Sequence, residues 1–205
     1  CWGKTLAQAV ALSAIPEEIV KLLGMLRYRY SYGQNVLAHS IEAAFICGLM
    51  AGELGLNVKQ ARRAALLHDI GKIIMMEKSS SQYLAMLRKS AQSGRSEAES
   101  EMEDFGFTHA DVGSVLAIKW SLPEDLAIAI RYHHAPARDP FHRSLSSLIH
   151  LADQLAWRAQ IPSTLGTTIA PLDHEVYDQI GLSPEQVEEL LPQIQDDFAA
   201  SELPW

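Results

Sequence analysis

From Pro16 onward the apolar residues of this chain recur every three or four positions: Ile19, Val20, Leu22, Leu23 and Leu26 in one segment, then Val36, Leu37, Ile41, Ala44 and Phe45 in the next. That spacing is the turn of an α-helix, and the period-two alternation of a half-buried strand is hard to find anywhere. The pattern predicts a further helix from Asn57 to Leu67, ended by His68-Asp69 and Gly71. Leu84 to Leu87 and the polar run Ser96 to Glu103 follow, with the Ser79–Ser81 and Ser90–Ser96 clusters read as caps or loop residues. His109 to Trp120 reads as an amphipathic helix stopped at Ser121-Leu122-Pro123. Pro123-Glu124-Asp125 opens another that runs to Tyr132, with proline in its first turn and acids against the helix dipole. Leu145 to Ala159 is the last long helix; after Pro162 the chain is turn-rich, and Ser183-Pro184-Glu185 begins a final amphipathic segment. An N-terminal helix is expected over Trp2 to Leu12. The predicted fold is all-α, with one domain over residues 1–160 and a C-terminal helical extension, 161–205, packed on it.

Composition agrees with a single globular unit. Of 205 residues, 48% are hydrophobic and 20% charged, enough to bury a substantial core. Ile41 to Leu54 is the most apolar stretch, but Glu42, Gly48 and Glu53 interrupt it, so it reads as a buried helix and not a membrane span. Two cysteines imply neither a disulfide framework nor a thiolate zinc site; Cys47, in Phe45-Ile46-Cys47-Gly48-Leu49, is expected in the core. A cytoplasmic location is the default expectation. With Lys+Arg at 17 against Asp+Glu at 25, the net charge of −8 repels a polyanion at long range, which disfavours RNA as a partner. Arg62 and Arg63 are expected on a solvated helix face, the alternative being a local basic patch with Lys72 that receives a phosphate near the metals.

The candidate chemistry lies in five places along these apolar helices. His39 sits in Val36-Leu37-Ala38-His39-Ser40-Ile41, and His68-Asp69 ends Ala64-Ala65-Leu66-Leu67. His109 lies in Thr108-His109-Ala110-Asp111, His133-His134 follows Ala129-Ile130-Arg131-Tyr132, and Asp153 ends Leu148-Ile149-His150-Leu151-Ala152-Asp153. Any one of these alone is more often a core histidine, a cap or a solvated acid than a ligand. Together, in apolar company, they point to metal binding, because buried imidazole and carboxylate need a partner. Neutral imidazoles with carboxylates suit Fe, Mn, Zn or Co better than the oxygen-only preference of Mg or Ca.

The ordered set His39, His68-Asp69, Asp153 resembles the defining signature of the HD-domain metal-dependent phosphohydrolases, and His109 with His133-His134 resembles the additional set of their dinuclear members. The segment Leu22 to Leu54 is similar to the start of the HD domain of ribonuclease Y. Phe105 to Leu155, with Gly106-Phe107-Thr108-His109, Trp120-Ser121-Leu122-Pro123 and His133-His134-Ala135-Pro136, is similar to HDOD signalling domains. The resemblance implies an HD-type helical bundle holding two divalent transition ions, with Fe or Mn favoured and Zn, Co or Ni compatible. His39, His68, Asp69 and Asp153 would hold one ion. Asp69 would bridge to a second on His109 and His133, with His134 a ligand or a substrate-side donor. The implied reaction is hydrolysis of a nucleotide-like phosphoester by a metal-activated water, with Asp69 and Lys72 as catalytic candidates.

Lys72 reads equally well as a phosphate contact or as a lysine at a helix C-terminus. Asn35, one turn before His39, would share its helix face, where some relatives with an HD-GYP signature carry a glutamate for a third metal; an amide there limits the site to two. Ala135-Pro136-Ala137-Arg138 replaces the GYP signature, so cyclic-di-GMP is not supported as substrate. His150 is a candidate for orienting a ligand, and His142 and His174 are expected at the surface. The insert Ile73 to Phe105 is expected to wall the substrate side, where Met75, Met76, Tyr83 and Met86 either pack a base or fill core, with core filling favoured. Two other functions remain open: a non-catalytic HDOD-type signalling or interaction module with structural metal, working as a homodimer or with a signalling partner, and the catalytic fragment of an endoribonuclease.

Overall fold

A computed structural model describes residues 17–26, 30, 31, 34–160, 174–187, 189 and 192. The helix expected over Trp2 to Leu12 and the turn-rich stretch after Pro162 lie outside the described residues.

Local chemistry sets the helix boundaries. Helix α1 spans Glu17–Leu26 and turns Ile19, Leu23 and Leu26 inward. Two-residue strands β1 (Tyr30–Ser31) and β2 (Gln34–Asn35) then pair antiparallel, Tyr30 opposite Asn35, a pairing too short to leave a periodicity in the sequence. Asn35 caps α2 (Val36–Glu53): its Oδ1 accepts from the Leu37 and Ala38 N–H groups at 3.1 Å each. This corrects the expectation that Asn35 lies on the helix face of His39, since a capping side chain folds back over the first turn. Asn57 does the same for α3 (Val58–Leu67), its Oδ1 accepting from the Gln60 N–H.

The chain does not leave the helical path at Gly71, as the sequence pattern predicts. His68 and Asp69 form a one-step break, and α4 (Ile70–Lys78) starts at once, with Gly71 inside its first turn. Glycine is needed there for packing: a Cβ on Gly71 would lie 2.0 Å from the His109 carbonyl oxygen and 2.8 Å from the Gly113 amide nitrogen. Helix α5 (Ser80–Ser93) ends on the left-handed Gly94, and Ser96 forms a capping box with Glu99 to start α6 (Glu97–Phe105). Thr108 and Asp111 form a second box that starts α7 (His109–Lys119), so His109 is its first residue. Helix α8 (Glu124–Tyr132), a 3-10 turn (Pro136–Arg138), α9 (Arg143–Gln160) and α10 (His174–Ile180) complete the order.

Helix α2 packs against α3 and α9, while α7 packs against α8 and α4. Ile41, Ile46 and Met50 of α2, Leu66 and Leu67 of α3, and Leu148, Leu151 and Leu155 of α9 share the main core, which Val176, Tyr177 and Ile180 of α10 join. Cys47 is fully buried in it, as expected. Arg62 is half-buried across the Phe45 ring, 5.7 Å from its centroid, and is thus not on a fully solvated face. Met75, Met76, Tyr83 and Met86 form a separate, smaller core under α5. Among the described residues α2 alone is long and apolar enough to cross a membrane, and 72% of it is buried inside the bundle.

Candidate metal centre

The fold brings the seven candidate ligands together. His39 comes from α2, His68 and Asp69 from the break between α3 and α4, His109 from the start of α7, His133 and His134 from the end of α8, and Asp153 from α9. Three sets of donor atoms each lie within 4.8 Å of one another: His39, His68 and Asp153; His68, Asp69 and His133; His109, His133 and His134. His39 Nε2 is 2.8 Å from Asp153 Oδ1, His68 Nε2 is 3.5 Å from Asp69 Oδ2 and 3.6 Å from Asp153 Oδ1, and His109 Nε2 is 3.2 Å from Asp69 Oδ1. His68, His109 and His133 are fully buried, and only His134 is exposed.

Protein oxygens set the orientation of three of these rings. His68 Nδ1 is 2.6 Å from the Ala65 carbonyl, His133 Nδ1 is 2.6 Å from the Ile130 carbonyl, and His109 Nδ1 is 2.7 Å from Glu101 Oε2. Carbonyls and carboxylates accept, so each Nδ1 carries a proton, and in the neutral ring it is Nε2 that presents the lone pair. His68 Nε2, His133 Nε2 and Asp69 Oδ1 are buried and have no hydrogen-bond partner among the described residues. Unsatisfied buried acceptors are costly, and a cation is what two imidazole lone pairs and a carboxylate oxygen would satisfy together. The residues therefore fit a divalent transition metal, and the absence of thiolate among them fits a site other than structural zinc.

Electrostatics keep the two carboxylates and His133 in ligating form, whereas the acids beside His68 and His109 favour their protonated rings, which give up a proton on binding a metal. Burial opposes ionisation of Asp69 and Asp153, but His68 and Lys72 around Asp69, and His39 and His68 around Asp153, outweigh it and hold both carboxyls well below the usual range. Burial, reinforced by the neighbouring His68 and His109, holds His133 well below its usual value and keeps it neutral. Burial would also depress His109, yet the Glu101 carboxylate beside it raises it to about 10.

Lys72 departs from the expectation of a lysine at a helix C-terminus. It is the third residue of α4, at the opposite end from the helix C-terminus, so no dipole pairing operates. Its Nζ is 2.8 Å from Asp69 Oδ2 and 3.0 Å from Glu97 Oε2, with the residue 5% exposed, which makes it an internal counter-charge to Asp69. His150 holds the segment that carries the candidate ligand His133, its Nδ1 donating to the His133 carbonyl at 2.7 Å. His142 is half-buried in the loop before α9.

Sequence reasoning missed Glu97, Glu101, Tyr83 and Trp157. Glu101 Oε2 accepts from both the backbone N–H and ring Nδ1 of His109, at 2.7 Å each. Tyr83 donates toward Glu101 Oε1 (2.7 Å) and Glu97 Oε1 (2.8 Å), and the Trp157 ring lies 5.5 Å from that of His39. The available signal was the four-residue spacing of Glu97 and Glu101, which puts both on one helix face; an acidic run reads first as solvated.

Rare polar donors in the order H, HD, H, HH, D, delivered from the ends and faces of packed helices, define an HD-type all-helical domain. The profile of the HDOD domain matches residues 5–136, and the chain belongs to that family. It is also similar to ribonuclease Y of Desulfotalea psychrophila, 42% identical over 147 residues, which are 72% of this chain and 23% of that protein. Ribonuclease Y of Syntrophotalea carbinolica matches at the same identity and coverage. The chain thus spans about a quarter of the length of these relatives. An HDOD domain protein with unknown function from Geobacter sulfurreducens shares the fold, with a TM-score of 0.68 at 21% identity over 90% of this chain and 69% of that one.

Proposed function

We propose that this chain is a metal-dependent phosphoester hydrolase acting on a nucleotide-like substrate. The observation that carries the reading is the convergence of buried Nε2 lone pairs, their rings locked by protein oxygens, on two carboxylates. His39, His68, Asp69 and Asp153 would hold one ion, and Asp69, His109 and His133, with His134, a second. Bound there, divalent ions such as Fe or Mn supply Lewis-acid stabilisation of phosphoryl charge and activate water.

The chain's own residues prepare for this. Lys72 holds Asp69 through one carboxylate oxygen and leaves Oδ1 toward His109. Glu101 fixes the His109 ring, and His150 fixes the His133 backbone. His134 is the exposed member of the set, so substrate approaches from its side. The likeness to ribonuclease Y favours a phosphodiester, while the net charge of −8 disfavours capture of long RNA by this chain alone.

A second reading is an HDOD-type interaction module with structural metal, favoured by the family match and by the near-complete burial of the centre. The two are separated by assaying protein loaded with Mn or Fe against bis(p-nitrophenyl) phosphate, p-nitrophenyl phosphate and a single-stranded RNA. Metal-dependent turnover that Asp69→Ala abolishes without loss of helicity supports the hydrolase. Retained metal with no turnover on any of the three supports the module.

A further inference from the structure

The side chains behind the metal centre form one continuous path. His109 donates from its backbone N–H and from ring Nδ1 to Glu101 Oε2, and Glu101 Oε1 lies 2.7 Å from the Tyr83 hydroxyl. The same hydroxyl is 2.8 Å from Glu97 Oε1. Glu97 Oε2 is in turn 3.0 Å from Lys72 Nζ, which donates to Asp69 Oδ2 at 2.8 Å. The path thus leaves one candidate ligand, His109, and returns to another, Asp69. Their facing atoms, His109 Nε2 and Asp69 Oδ1, are 3.2 Å apart and complete the ring. Every residue on it is buried.

Tyr83 is the neutral link between two carboxylates. Burial and those carboxylates push its phenol far above the usual value, so it stays a donor. Without the hydroxyl, Glu97 and Glu101 would face one another with like charge in a buried space, where repulsion is weakly screened. Asp69 would keep its bond to Lys72. Glu101 would lose the hydroxyl directly, and its other oxygen is the one that aims His109.

The hydroxyl also belongs to a different core from most of the ligands. Tyr83 packs with Met75, Met76 and Met86 in the small core, against Phe105. The apolar neighbours of His39, His68 and Asp153, such as Ile41, Leu67 and Ala152, lie in the main core. One side of the centre therefore depends on how the hairpin of α5 and α6 folds back, and the other does not.

We infer that Tyr83 is a positioning residue of the metal centre: through Glu101 it fixes His109, and the ion on the His109 side is bound tightly only when the α5–α6 hairpin supplies that hydroxyl. This rests on reading the centre as one that holds two ions, and not on the reaction performed there.

The test is titration of the chelator-stripped chain with Co(II), followed by visible absorption and by calorimetry, with circular dichroism to show that each variant is folded. His109→Gln identifies the binding step of the His109 side as the one it removes. Tyr83→Phe keeps the ring and is expected to weaken that step about 10- to 100-fold while the other step changes little. Phe105→Leu is the control for packing. Its ring lies 6.1 Å from that of Tyr83 and is not on the path, so its loss should loosen the small core and leave both steps little changed. Should Tyr83→Phe alone fail to fold, adding Glu97→Gln relieves the repulsion while still leaving Glu101 without the hydroxyl, and the same step should weaken. An unchanged step, equal weakening of both steps, or an equal loss in Phe105→Leu overturns the inference and leaves the two-ion reading standing. A parent chain that takes up fewer than two equivalents defeats that reading and the inference together.

Discussion

The imidazoles of the centre fall into two groups by what holds the nitrogen that points away from the shared space. His68, His109 and His133 each have Nδ1 tied to a protein oxygen at 2.6 or 2.7 Å, so their Nε2 lone pairs are aimed by the fold. His39 Nδ1 has no hydrogen-bond partner among the described residues, and exposed His134 touches His109 through Nε2. The locked rings sit where helices end or begin, at the last turn of α3 and α8 and the first residue of α7, where unpaired backbone groups and caps are at hand. His39 lies inside α2, where the backbone carbonyls are already used, and its ring is positioned by packing against Trp157 and by Asp153. Termini give a pre-oriented ligand; a helix interior gives one that is only placed.

This contrast can be broken at several points. Asp69 faces the locked rings of His68 and His109, so Asp69→Ala is expected to lower turnover on a phosphodiester by at least about a hundredfold, read alongside circular dichroism to show that the fold persists. Glu101→Gln removes the charge that locks His109 while preserving shape, and is expected to weaken metal affinity about 10- to 100-fold, measured by competition with a chelating dye. His134→Ala removes an unlocked, exposed ring, and the same dye assay should show a loss of about tenfold or less. If His134→Ala costs more than Glu101→Gln, the division into locked and unlocked rings is wrong.

Two smaller effects sharpen the role of the scaffold. Gly71→Ala forces α4 and α7 apart at the His109 carbonyl, and urea denaturation should show a loss of about 1–3 kcal/mol together with weaker metal binding. Ser96→Ala removes the cap of α6, which carries Glu101, and should cost about 1 kcal/mol with metal affinity little changed.

The ordered set of candidate donors was legible in the sequence because histidine and aspartate are conspicuous on apolar helices, and helix starts were legible where caps mark them, as at Asn57 and Thr108. The supporting residues were not, because their roles depend on how α5 and α6 fold back. Tyr83 and Glu101 are 18 residues apart and meet only through that hairpin. Lys72 was misplaced because the sequence pattern ends a helix at Gly71, whereas close contact with α7 draws Gly71 into a new one. In both cases the missing information was a tertiary contact, which periodicity and spacing do not carry.

The central claim is that these side chains hold metal, and elemental analysis of the chain purified without chelator or affinity-tag metal, under low oxygen, tests it most directly. About two equivalents of Fe or Mn per chain are predicted. A folded chain that carries no metal and takes up none when it is offered would contradict the account.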